Sequence, residues 1–369
     1  MTTKPLRTEP EKRLHSLDAL RGFDMFWITG GGYLATIIAQ MTGAEWLGHQ
    51  MHHVEWAGFH FEDLIFPLFM FIAGVAVPFS IGSKLEKNVP KRRLFLKVFK
   101  RLVVLILLGI LYNGAFKEGF ANARIASVLG QIGIGYFFAA LIYLNFPVLK
   151  SRIFWLIGIL AGFGILQLLI PVPGVDAGVL TPEGCINGYI DRLFLPGRLY
   201  RGVYDPEGIL CSLSATGVTL MGTIAGSILR NKKNSDWKKI SYLSGTGAGL
   251  IVLALLFSTF YPIIKNCWTS TFNMLTGGIG FLLLAFFFLI IDHWKFRSWA
   301  FYFKIIGMNS IFVYLFHRII DTQALTVFFA GWLAKPLGNA SELFLAICEL
   351  GLIWLLLYFM YRRKIFLRV

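Results

Sequence analysis

Four histidines, His49, His52, His53 and His60, crowd one short segment, and Glu62 and Asp63 follow directly. Imidazole and carboxylate groups together suit two chemistries. One is ligation of a zinc-type metal; the other is proton transfer near neutral pH. The spacing matches no closed zinc motif, because His49 and His53 form an HxxxH pair without the adjacent glutamate of a helical zinc-protease signature. The four cysteines, Cys185, Cys211, Cys267 and Cys348, are scattered and form no CxxC pair. Asp63 heads an otherwise apolar stretch, FEDLIFPLFMFIAG. A carboxylate there must face a cavity or a partner, or cap the helix that begins beside it. The pattern alone leaves open whether His53, which Trp56 and Gly58 follow, acts in catalysis or is an interfacial loop histidine, and whether Asp63 serves a site or caps its helix.

A second group lies at the start of the first apolar stretch, SLDALRGFDMF. Asp18, Arg21 and Asp24 recur every three residues and share a helix face. Arg21 with Lys97, Arg101 and Lys304 could line a basic vestibule for a polyanionic ligand. Seven more polar residues fall inside apolar stretches: Asn113, Arg124, Gln131, Asn273, Asn309, His317 and Glu349. Polar groups at that depth imply a passage through the helices.

These residues need a scaffold, and composition dictates its kind. Of the 369 residues, 56% are hydrophobic and 15% charged, with a mean hydropathy of +0.65. That excludes a soluble globular domain, a disordered chain and a disulfide-rich secreted module. Apolar runs at 17–41, 62–83, 98–116, 125–146, 152–171, 207–229, 240–261, 268–291, 300–320 and 342–361 predict an all-α polytopic integral membrane protein of about ten transmembrane helices. The run 323–334 is too short to cross and reads as re-entrant or interfacial. Residues 1–16 are expected to be a cytoplasmic N-terminal segment without a cleavable signal. Residues 17–369 are expected to form one transmembrane domain, with segment 172–206 as an outer capping loop.

The formal charge of +15 does not need nucleic acid. Most of the 35 Lys and Arg residues fall on alternate loops, as in Lys84–Arg101, Arg230–Lys239 and Arg362–Lys364. That alternation puts both termini in the cytoplasm, with the basic loops against anionic lipid. Cys185 and Cys267 then both lie outside, where a disulfide could join them. Compactness and charge bias suggest a bacterial inner membrane.

Several stretches, in order along the chain, resemble the heparan-α-glucosaminide N-acetyltransferase family of transmembrane acyltransferases. They are RLHSLDALRGFDMF, the GGG at 30–32, HVEWAGFHFEDLIFPLFMFIAG, ARIASVLGQIGIGYF, GYIDRLFL, YDPEGIL, GMNSIFVYLFH and the terminal YRRKIF. The resemblance runs from about residue 13 to 369. It implies transfer of an acetyl group from cytosolic acetyl-CoA to an amino sugar across the membrane, with no metal. It also implies that His53 is catalytic, in an HxxWxG motif formed by His53, Trp56 and Gly58. Where the lysosomal enzyme of the family has an asparagine before its GGG turn, this chain has Ile28 and Thr29, so Thr29 is the candidate donor there. On this reading Asp63 orients His53, and Arg21, Thr29, Lys97, Arg101, Arg124 and Lys304 contact acetyl-CoA. Asp191, Arg192, Asp205, Glu207, Asn309 and His317 contact the acceptor glycan. Family analogy also allows a homodimer. A sugar transporter and a glycan O-acetyltransferase are the alternatives; the first is weakened by the lack of duplicated halves with paired broken helices.

Overall fold

The computed structural model describes residues 14–115, 119 and 122–367. Most of the expected N-terminal segment 1–16, and Arg368 and Val369, lie outside the described residues. Helices α1 (His15–Phe26), α2 (Gly32–Thr42), α3 (Glu45–Gln50), α4 (Glu62–Val77), α5 (Ser83–Glu86) and α6 (Lys91–Tyr112) come first. Next are α7 (Val128–Asn145), α8 (Leu149–Leu169), α9 (Ile186–Phe194), α10 (Ile209–Ser214), α11 (Thr216–Arg230) and α12 (Asp236–Phe257). The chain closes with α13 (Ser270–Phe287), α14 (Ala300–Gly307), α15 (Ser310–Ile319), α16 (Thr322–Ala334) and α17 (Ser341–Arg362). Among the described residues there is no strand, and two isolated bridges, Arg124 with Gly197 and Val172 with Val175, are the extended pairings. Side-chain caps set several starts. Ser127 Oγ accepts from Gly130 N–H at 3.0 Å, Thr269 Oγ1 from Phe272 N–H at 3.3 Å, and Asp321 Oδ1 from Ala324 N–H at 2.9 Å.

Seven helical stretches of the described residues are long and apolar enough to cross a bilayer, or eight if α14 and α15 form one bent span. The chain is an integral membrane protein. The count falls short of the expected ten for local reasons. Run 17–41 is helical, but a π-turn at Trp27–Gly31, with Gly30 at φ 127°, divides α1 from α2, and Asp18, Arg21 and Asp24 dilute its apolar face. Run 98–116 belongs to α6, whose first half carries Lys91, Arg92, Arg93, Lys97, Lys100 and Arg101. Run 300–320 is bent by 70° between α14 and α15. The short run 323–334 is a helix joined to α17 through a 3₁₀ turn, where Gly338 takes φ 54°, and it packs on α17.

At the centre, α4 crosses α11 with backbones in contact. A Cβ on Gly74 would collide with the Thr219 carbonyl, on Gly222 with that of Phe71, and on Gly226 with that of Val75. Lipid supplies no hydrophobic drive between helices, so close packing through small residues holds such a crossing together. Gly222→Val is expected to force the pair apart. A cost of about 1–3 kcal/mol or more is typical of overpacking. It should appear as a lower melting midpoint and a smaller monodisperse fraction in detergent, and wild-type behaviour of the variant would contradict the crossing.

Candidate active site

His53 lies in the loop between α3 and α4, and Asp63 in the first turn of α4. Gly58, at φ 125°, lets this loop turn, and its N–H reaches the Ile263 carbonyl at 2.9 Å. Trp56 anchors the same loop: its indole N–H donates to Leu180 O at 2.6 Å, and its ring meets Tyr204 edge-on. Leu180 and Tyr204 thus bring segment 172–206, the expected cap, against the His53 loop.

The Asp63 side chain is 1% exposed, whereas that of His53 is 55% exposed. His53 Nδ1 stands 2.8 Å from Asp63 Oδ1. Asp63 Oδ2 accepts backbone N–H groups from His60 at 3.0 Å and Val54 at 3.4 Å. Lys265, from the loop between α12 and α13, completes the group. Its Nζ lies 3.3 Å from Asp63 Oδ1, 2.9 Å from His53 Nδ1 and 3.2 Å from His53 Nε2. Burial lowers the Lys265 ammonium from its ordinary value, opposed by the nearby Asp63 carboxylate. Nδ1 facing a carboxylate favours the tautomer with a free Nε2, the form a general base needs.

His53, Glu62, Glu207 and Lys265 line a cavity of about 380 Å³ together with Tyr112 and Tyr314. A second cavity, of about 460 Å³, is lined by Asp18, Arg21, Arg101 and the C-terminal Phe366 and Leu367. Phe69, Ser310 and Ile311 line both, so the two cavities share a wall. Arg101 also borders a third hollow, of about 430 Å³, with Lys84, Lys97 and Lys100. The bend between α14 and α15 puts Ser310 at this junction, which a straight span would fill.

Other expected residues divide by position. Asp205 receives Arg124 in a two-pronged pair at 2.8 and 2.6 Å, and Arg124 also binds Glu207. The two carboxylates push the Arg124 guanidinium up, against its burial, and burial pushes Glu207 up. This network ties segment 122–127 to the cap beside the His53 cavity. Arg192 donates to the carbonyls of Val203 and Glu183, at 2.6 and 3.2 Å, and so staples the cap. Asn309 donates to Ile365 O and accepts from Leu367 N–H, at 3.1 and 3.0 Å, which fixes the tail at the Arg21 cavity, away from His53. Thr29 is buried and donates to Phe26 O within its own helix; its neighbour Ile28 lines the His53 cavity. Lys304 is within electrostatic reach of His15 and lines none of the three cavities. His317 meets Thr322 Oγ1 at 3.3 Å, and Thr322 binds Glu349. Among the described residues, no three of His, Cys, Asp and Glu converge as metal ligands.

Asp191 is wholly buried and accepts the Ile209 N–H at 2.9 Å, capping α10. Burial pushes its carboxyl up to about 6, from an ordinary 3.8. A raised acid holds its proton more tightly when folded, so its cost is absent below about pH 4 and fully present above pH 6. Asp191→Asn keeps the accepting oxygen and removes the charge. We expect a higher melting midpoint than wild type at pH 7.5, equivalent to at most about 3 kcal/mol, and no gain near pH 4. Melting curves in detergent at both pH values test this.

Lys265 is the charged residue of the His53 cavity that the sequence does not single out. Lys265 is more than 200 positions from His53, and its one signal is that it falls in a segment the charge bias assigns to the lysine-poor side.

Comparison with known proteins bears on this arrangement. Residues 13–155 match a family described as a domain of unknown function, DUF5009. The human protein named heparan-alpha-glucosaminide N-acetyltransferase is 29% identical over 97% of this chain and 60% of its own length. The mouse protein of that name is 27% identical over 98% of this chain and 62% of its own. The chain is thus similar to these two proteins over nearly its whole length. It spans about 60% of the length of the curated relatives it matches.

Proposed function

We propose that this protein is a transmembrane acetyltransferase, moving an acetyl group from acetyl-CoA on the basic face to an amino sugar on the face that carries His53. The observation that carries the reading is the pair of cavities sharing Phe69, Ser310 and Ile311, with Arg21 and Arg101 at one end and His53, Glu62 and Lys265 at the other. A thioester on a long thin arm suits such a path, its phosphates held by Arg101, Lys97, Lys100 and Lys84 at the basic hollow. The names of the human and mouse relatives support an acetyl donor and a glucosamine-type acceptor.

The chemistry follows from the geometry. His53 Nε2 takes a proton from the acceptor amine as nitrogen attacks the thioester carbon. Asp63 orients the imidazole and balances the charge it gains. Lys265, 3.2 Å from Nε2, is placed to stabilise the oxyanion that develops. Collapse of the tetrahedral intermediate expels the thiolate, which recovers the proton from His53. Glu62 and Glu207 face the same cavity and are suited to bind a cationic sugar. Both termini and the basic loops lie on the donor side, in the inner leaflet of a bacterial plasma membrane, across about ten spans if α1–α2 and α6 cross as well.

The test is acetyl transfer by purified protein from labelled acetyl-CoA, with glucosamine and N-acetylglucosamine offered separately. An N-acetylated product from glucosamine alone supports the reading. A product from N-acetylglucosamine makes the protein an O-acetyltransferase. Acetyl-CoA that neither binds nor reacts overturns the proposal.

A further inference from the structure

The cap rests on the Lys265 loop through a buried cluster that contains two thiols. Leu180, Cys185, Tyr261, Ile264 and Cys267 pack together, with Trp56 and Leu168 against them. Cys185 and Cys267 are each wholly buried in this one cluster, where Cys185 Sγ donates to Pro182 O at 3.8 Å. Neither is disulfide-bonded in the structure. Their backbones are tightly held. Cys185 caps α9, its sulfur accepting from Gly188 N–H at 3.4 Å. The Cys267 carbonyl accepts from Gln167 Nε2 at 2.8 Å and from Asn187 Nδ2 at 3.1 Å. Two thiols packed in one cluster on such fixed supports need little backbone movement to join. Cys211 lies nearby, but its sulfur is engaged by Asn187 Nδ2 at 3.3 Å and donates to Asn266 O at 3.4 Å.

We infer that Cys185 and Cys267 form a redox-active pair whose disulfide staples the cap to the loop that carries Lys265. The inference is independent of the acetyl-transfer reading. The step requires an oxidant of the disulfide class, R–S–S–R. The Cys185 thiolate attacks it, forms a mixed disulfide and expels R–S⁻. The Cys267 thiolate then attacks Cys185 Sγ and expels the second R–S⁻. Two protons and two electrons leave the protein, and the oxidant ends as two thiols. The attacking role falls to Cys185, whose thiol is lowered from its ordinary value by the neighbouring Cys267 thiol, against its burial, with help from the Gly188 N–H and Arg192. Both cysteines lie on the His53 face, and Cys267 is two residues from Lys265, so the bond would hold the cap beside the cavity.

The full chain in membranes is treated with oxidised glutathione or with dithiothreitol and then denatured. Free thiols are blocked with iodoacetamide; the rest are reduced and labelled with N-ethylmaleimide. Peptide mass spectrometry then reports each cysteine. We expect Cys185 and Cys267 to move together from the first label to the second on oxidation, with Cys348 staying in the first. A cross-linked Cys185–Cys267 peptide should appear in an unreduced digest. In Cys185→Ser, Cys267 should take the first label in both conditions. The wild-type result suffices if that variant does not fold. Cys185 and Cys267 remaining in the first label after oxidation overturns the inference, as does a reducible bond linking Cys211 to either one.

Discussion

His53→Ala is expected to lower acetyl transfer about 10³-fold, within the range for loss of a general base, while leaving acetyl-CoA affinity unchanged. The split follows from where the groups stand. His53 lines the cavity next to Glu62 and Lys265, whereas the candidate phosphate contacts line the separate basic hollows around Arg101. Removing the imidazole deletes the proton acceptor without touching those cations. Asp63→Asn should be less severe, about 10²-fold, because the base remains but loses the acceptor at Nδ1, and the wrong tautomer becomes competitive. Initial rates with labelled acetyl-CoA, beside calorimetric binding of CoA, separate the two quantities. Unchanged turnover in His53→Ala would remove it from the chemistry. Labelled acetyl retained on denatured wild-type protein, and lost in the variant, would instead make His53 the nucleophile of a two-step transfer.

Much of this arrangement is legible in the amino-acid sequence. Residue type and local spacing mark the cluster from His49 to Asp63, the resemblance picks out His53 within it, and its contact with Asp63 spans only ten residues. Hydropathy marks out the long helices because lipid demands long apolar runs. Distant contacts are hidden. Lys265 looks like an isolated loop lysine until the α12–α13 connection packs beside the α3–α4 loop through Gly58 and Ile263. Asn309 and Ser310 are neighbours in sequence, yet the first holds the C-terminal tail and the second lines both cavities. A hydropathy run does not record the 70° bend that separates their roles. Asp191 and Arg192 have the composition of sugar ligands, and in the fold Asp191 Oδ1 also holds the first turn of α10 while Arg192 holds carbonyls of the cap. Polar residue type signals that a partner exists; it does not say whether that partner is a ligand or the backbone.

The second large effect concerns the junction between the cavities. Ser310→Trp is expected to cut transfer from acetyl-CoA by more than about 100-fold, a loss comparable to misplacing a reactant by an ångström. Ser310 is buried, at the first turn of α15, and lines both cavities with Phe69 and Ile311. An indole there would fill the shared wall and close any path from Arg101 to His53. Ser310→Ala removes only the hydroxyl, which donates to Gly307 O within the bend at 3.3 Å, and should retain most activity. The two variants thus separate blocked passage from lost hydrogen bonding. A short thioester such as acetyl-N-acetylcysteamine, small enough to approach from the His53 face, tests the geometry further. Its use by Ser310→Trp should fall far less than that of acetyl-CoA, provided the variant melts near wild type. Equal losses with both donors would place the obstruction at the catalytic group itself. Undiminished transfer from acetyl-CoA would mean that the thioester reaches His53 by another route.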